Sequence, residues 1–150
     1  MSKPKKSPRH LSRSLAVQGL YYYKINQADI SEIEYFLSTS CNTVYAAANY
    51  ELLHFLLSHS IDQFEPMLEL YTEYLQRDIK DINLIEQIIL VLAAVELSDN
   101  LSVPAPVIIN EAIELAKLYG ATESHKFINN VVDKLAARLR QPLNTTLNTK

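Results

Sequence analysis

From Ile85 to Val95 the chain is apolar almost without relief: Ile85, Ile88, Ile89, Leu90, Val91, Leu92, Ala93 and Val95 point in every direction around a helix. A helix with no polar face is stable in water only when other elements surround it. The run Ile88–Val95 is far too short to cross a bilayer. This segment therefore predicts the central helix of a bundle, opened by Asp81 or Asn83 and running to about Ser98.

The flanking sequence supplies the surrounding helices. Leu15, Ala16, Gly19, Leu20 and Tyr23 recur at helical spacing and predict a helix over residues 9–24. Asp29 and Glu32 have the spacing of a capping box and predict a short helix through Leu37. Residues 38–43 read as a loop. Residues 44–58 predict a helix with Tyr50, Leu53, Leu56 and Leu57 inward. Residues 61–76 predict another, with Phe64, Leu68, Tyr71 and Leu75 on one stripe; Pro66 fits only in a first turn. Pro104 and Pro106 open a helix that Gly120 ends, with Gly120 expected in a left-handed cap. Thr122 is the expected N-cap of the last helix, whose stripe runs from Phe127 to Leu139 before Pro142. No strand alternation competes. The expected fold is all-α, a single domain of about seven helices packed around residues 84–95. A disordered basic arm (residues 1–8) and a polar tail (residues 141–150) flank the helical domain of residues 9–140.

The same residues exclude several kinds of chemistry. Only Gly19 and Gly120 are glycine, so there is no phosphate-cradling loop. His54 and His59 are five apart and poorly spaced as joint metal ligands; the single Cys41 has no partner. Glu111 and Glu114 share a helical turn and read as a solvated face rather than paired catalytic acids. The expectation is a non-enzymatic protein without cofactor or metal. With no N-terminal apolar run, its expected compartment is the reducing cytoplasm, with no membrane contact.

Charge is unevenly spread. Residues 1–28 hold six Lys and Arg and no acid, whereas the remainder holds 8 basic and 17 acidic side chains. A basic arm on an acidic body suits a polyanionic partner, or simply a solvated tail. Lys6, Arg9, His10 and Arg13 share a helical stripe near a helix N-terminus, where the macrodipole also favours phosphate.

The ordered signature Ile-Asn-Glu-Ala-Ile-Glu-Leu-Ala-Lys (109–117), Leu-Tyr-Gly (118–120), Ser-His-Lys-Phe (124–127) and Val-Val-Asp-Lys-Leu-Ala (131–136) closely resembles the C-terminal signature of the NusB family of bacterial transcription antitermination factors. Arg-Ser-Leu-Ala-Val-Gln-Gly-Leu-Tyr (13–21) resembles the family's N-terminal motif, and Ile85–Leu97 resembles its central helix. Residues 38–76 match mainly in pattern. The resemblance implies an all-helical bundle of two small helical subdomains that binds boxA RNA together with NusE, a small-subunit ribosomal protein, and joins the RNA polymerase antitermination complex at ribosomal RNA operons. It implies RNA contacts at Lys6, Arg9, His10, Arg13, Glu123, Lys126, Phe127 and Asn129, and partner contacts at Tyr21 and Glu86. Core packing is the competing reading for Phe127; a boundary tyrosine and a solvated acid are those for Tyr21 and Glu86. The alternative function is a protein-binding adaptor in ribosome biogenesis without direct RNA readout. Monomer and homodimer both remain open. The sequence departs from the family at His10 and Leu11, which interrupt an arginine run. Val91 and Val95 stand in place of an arginine and an aromatic, and Asn130 in place of a glycine.

Overall fold

The computed structural model describes residues 6–141. These residues form eight α-helices and two single-turn 3-10 helices: α1 (Pro8–Asn26), α2 (Ile30–Ser40), α3 (Asn42–Ala47), α4 (Tyr50–Asp62), α5 (Phe64–Glu69), the 3-10 turns Thr72–Tyr74 and Ile79–Asp81, α6 (Leu84–Asp99), α7 (Ala105–Tyr119) and α8 (Ser124–Leu139). No strand occurs among the described residues. Lys3, Lys5 and Pro142 lie outside them.

The apolar segment is the hub. Every residue from Ile88 to Leu97 is buried, and α6 packs against α1, α4, α5, α7 and α8. Helices α1 to α5 form one group and α7 and α8 the other, with α6 shared between them. Tyr71, fully buried, donates its hydroxyl proton to the Leu90 carbonyl at 2.7 Å. Burial raises the pKa of that phenol far above its ordinary value.

The helix boundaries differ from expectation where local chemistry overrides periodicity. The expected loop at residues 38–43 is mostly helical: α2 reaches Ser40, Cys41 breaks the path, and α3 follows at once. Asn49 then caps α4 by accepting the Leu52 amide at 2.9 Å, so the expected helix of residues 44–58 is two. Tyr50, expected inward, is exposed and donates to Glu34. The helix expected over residues 61–76 is shortened to α5 and a 3-10 turn; α4 runs on to Asp62 and stops there because Pro66 has no amide for the Asp62 carbonyl and its ring would strike it.

Gly120 is not left-handed; its φ is −86°, and the left-handed residue is Glu123, at φ 76°. Glu123, not Thr122, precedes α8, without a side-chain cap. Crowding explains the glycine instead. A Cβ on Gly120 would lie 2.7 Å from the Ala116 carbonyl oxygen and 2.8 Å from Ser124 Cβ. Gly120→Ala is expected to cost about 1–2 kcal/mol, toward the lower end of the usual penalty for overpacking. Urea unfolding checks this, and a variant as stable as the parent would contradict it.

Candidate nucleic-acid interface

The α1 N-terminus is built by Ser7, whose hydroxyl accepts the His10 amide at 3.1 Å, and by Pro8 at the first helical position. A second tie fixes this end: Ser12 donates to the Asn49 carbonyl at 2.7 Å and accepts the Asn49 amide at 2.9 Å. Lys6 and Arg9 are exposed here.

The other two members of the expected basic stripe turn inward. His10 Nδ1 lies 2.9 Å from a Glu111 carboxylate oxygen. Arg13 is only 5% exposed and makes a two-pronged pair with Glu96, at 2.7 and 3.0 Å. Burial alone would lower the Arg13 pKa, but the hydrogen bonds and charge of Glu96, with Glu111 at 4.0 Å, raise it on balance. Arg13 is thus a structural cation, a correction to its expected place in the basic stripe. The reason is Glu96, an acid inside the otherwise apolar α6 that requires a buried counter-charge. Glu111, expected on a solvated face, is instead largely covered by its two α1 partners.

The α8 entry forms a second patch. Lys126 and Glu123 are both exposed and pair at 2.7 Å. Phe127 is half-buried: one side packs on the core, and the Arg77 guanidinium carbon lies 4.8 Å from its ring centroid. Asn129 and Asn130 are exposed. Asn130, three residues beyond Phe127, shares its face of the helix, whereas Asn129 is rotated about 200° from it.

Of the two expected partner contacts, Tyr21 is available and Glu86 is not. Tyr21 is 44% exposed and lines an apolar groove of about 360 Å³ with Tyr22, Ile25, Phe36, Ile85 and Tyr119. Glu86 is 6% exposed, with one carboxylate oxygen accepting the Ser124 hydroxyl at 2.7 Å and the other 3.5 Å from Arg77. It is neither a solvated acid nor an open docking residue; it ties α6 to the α8 entry.

These patches lie at different levels of the bundle. His10 meets Glu111, while Ser14 and Gln18 both meet the Tyr119 hydroxyl, so α1 and α7 run side by side in one direction. At 1.5 Å rise per residue, the step from Arg9 to the level of Gln18 is roughly 14 Å. The α8 entry follows directly on Tyr119, and so neighbours the Tyr21 groove rather than Arg9. The residues expected to contact RNA therefore form two patches. Arg77 was not anticipated at all. Its signal in the sequence was Glu86, an acid that, like Glu96, lies in the apolar surroundings of α6 and calls for a cation.

Val91 and Val95 are fully buried, so these departures alter the core and not an exposed face. Among the described residues no helix is long and apolar enough to cross a membrane, and no group of three or more His, Cys, Asp or Glu is placed to hold a metal ion.

A helical bundle with an exposed cationic helix end, an arginine-covered aromatic and an apolar groove beside it defines a macromolecule-binding module. The NusB family profile matches residues 10–137. The chain is 40% identical over 136 residues to the transcription antitermination protein NusB of Burkholderia lata, covering 91% of this chain and 92% of that protein. Identity and coverage are the same for the Burkholderia vietnamiensis protein of that name. The chain belongs to the NusB family. Its fold is similar to that of T. maritima NusB, with a TM-score of 0.72 at 24% identity, covering 88% of this chain and 92% of that one.

Proposed function

We propose that this protein is a transcription antitermination factor of the cytoplasm, which binds boxA RNA with NusE and joins the RNA polymerase complex at ribosomal RNA operons. The observation that carries this reading is near end-to-end similarity to relatives named transcription antitermination protein NusB. Exposed Lys6 and Arg9 supply phosphate contacts at one end of the bundle. The α8 entry, with Lys126, Phe127 and the flanking polar residues, supplies a stacking surface at the other. The groove beside Tyr21 takes the protein partner.

The inward turn of His10 and Arg13 reduces the electrostatic share of binding. With about two or three phosphates neutralised, log affinity should fall against log salt with a slope of about −1.4 to −2.1 for a single strand. Titrating labelled boxA-like and scrambled RNA, with and without NusE, at several salt concentrations tests this. Equal affinity for both RNAs in both conditions would sink the reading. The burial of Arg13 specifically favours the second reading, a protein-binding adaptor without RNA readout. That reading predicts unchanged RNA affinity in Arg9→Ala with partner binding intact.

A further inference from the structure

The α6 helix carries two acids in its apolar surroundings, and each has drawn in an arginine, but the two pairs differ in kind. Arg13 meets Glu96 with two short hydrogen bonds and is 6% exposed in its side chain. Arg77 stands 3.5 Å from Glu86 and remains 47% exposed. Among the described residues Glu86 is its one charged partner. The first pair is consumed internally. The second holds a planar cation at the surface, its guanidinium carbon 4.8 Å from the Phe127 ring centroid and its side chain 47% exposed.

We infer that Arg77, held by Glu86 over Phe127, is an RNA-contacting residue: its open face stacks on a base of a single strand and its free N–H fork bonds the adjacent phosphate. This inference rests on the RNA-binding reading above. A guanidinium already held between a carboxylate and an aromatic ring loses little freedom when a base adds beside it, and its five donors match phosphate oxygens in a way an ammonium does not. Two neighbours favour RNA over an acidic protein segment. Asn130, exposed on the same face of α8 as Phe127, offers an amide that can both donate to and accept from a base edge. Lys126, one residue before the ring, is paired with Glu123 at 2.7 Å, whereas the Arg77 side chain is still 47% exposed.

The test measures labelled single-stranded boxA-like RNA binding by the full-length protein and its Arg77→Ala, Arg77→Lys, Phe127→Leu and Arg9→Ala variants across a salt series, with folding checked by circular dichroism. Arg77→Ala should weaken binding roughly tenfold, as expected for loss of one stacked base, and flatten the salt slope by about 0.7. Arg77→Lys should keep the parental slope yet stay several-fold weaker, because charge returns without the planar stack. Combining Arg77→Ala with Phe127→Leu should weaken binding less than the product of the single effects. A folded Arg77→Ala protein within twofold of the parent's affinity would overturn the inference, as would full rescue by lysine. Loss of NusE binding with RNA affinity unchanged would reassign this face to the protein partner and overturn it equally. If the parent protein binds no single-stranded RNA, the functional reading falls with it. If Arg9→Ala weakens binding and Arg77→Ala does not, this inference alone fails.

Discussion

Replacing Arg13 with alanine is expected to destabilise the protein by about 3–5 kcal/mol, the usual consequence of removing one partner from a buried ion pair. The side chain is nearly inaccessible and bonds both oxygens of Glu96, itself only 3% exposed. Once Arg13 is gone, Glu96 keeps a single side-chain donor, the Asn100 amide at 3.0 Å, in a medium that solvates polar groups poorly. Glu111 loses a nearby cation as well. Urea unfolding at neutral pH measures the loss. Arg13→Met combined with Glu96→Leu should recover most of the stability, since replacing a buried pair by apolar residues of similar size is often neutral. A loss below about 1 kcal/mol in Arg13→Ala would show that the pair is not the buried linkage between α1 and α6 described above.

That pair also marks the limit of what could be read from the chain. Periodicity identifies faces through apolar side chains, and it placed α1, α6 and the α8 stripe well. Leu15, Ala16, Leu20, Ile128, Val131, Val132 and Leu135 are all buried as expected. It is silent about which charges meet. Arg13 and Glu96 are 83 residues apart, and nothing local distinguishes Arg13 from exposed Arg9. The available clue was the acid: Glu86 and Glu96 sit in a helix with no wet face, and each requires a counter-charge. Following that clue would have withdrawn Arg13 from the RNA stripe and drawn attention to an arginine near Glu86. The helix break at Asn49 and the run of α4 on to Asp62 were illegible for a related reason. Apolar spacing continues across them, while an N-cap or a proline acting four residues back decides the boundary. The central place of the apolar helix followed from its own residues; the division of the candidate surface into two patches needed the direction in which α1 and α7 pass each other.

Arg140→Ala is the second large effect, expected to cost about 3 kcal/mol although the residue lies just beyond α8 and no periodic pattern includes it. The last carbonyls of a helix have no partners within it, and α6 is the helix least able to send them to water, because it is buried almost to its end. Arg140 supplies those partners. Its Nε donates to the Leu97 carbonyl at 2.8 Å, one terminal nitrogen to Val103 at 3.0 Å, and the other to Glu96 at 3.2 Å and Asn100 at 3.3 Å. A permanent cation at this point also opposes the negative end of the α6 dipole. One guanidinium thus fastens the end of α8 to the end of the central helix and to the loop leading into α7. Hydrogen bonds to a charged group each contribute about 1.5–3 kcal/mol when dry. Arg140 is only half-buried, so water recovers part of the four, and a total near that of one or two such bonds follows. Arg140→Lys should restore little, because one ammonium cannot span carbonyls spread over this fork. Native-state hydrogen exchange separates this from a general loss of packing: the terminal turns of α6 and α8 should exchange faster in Arg140→Ala, while the α1–α4 contact keeps its protection. Uniform acceleration across all helices would instead assign Arg140 to global stability, with no special role at the α6 terminus.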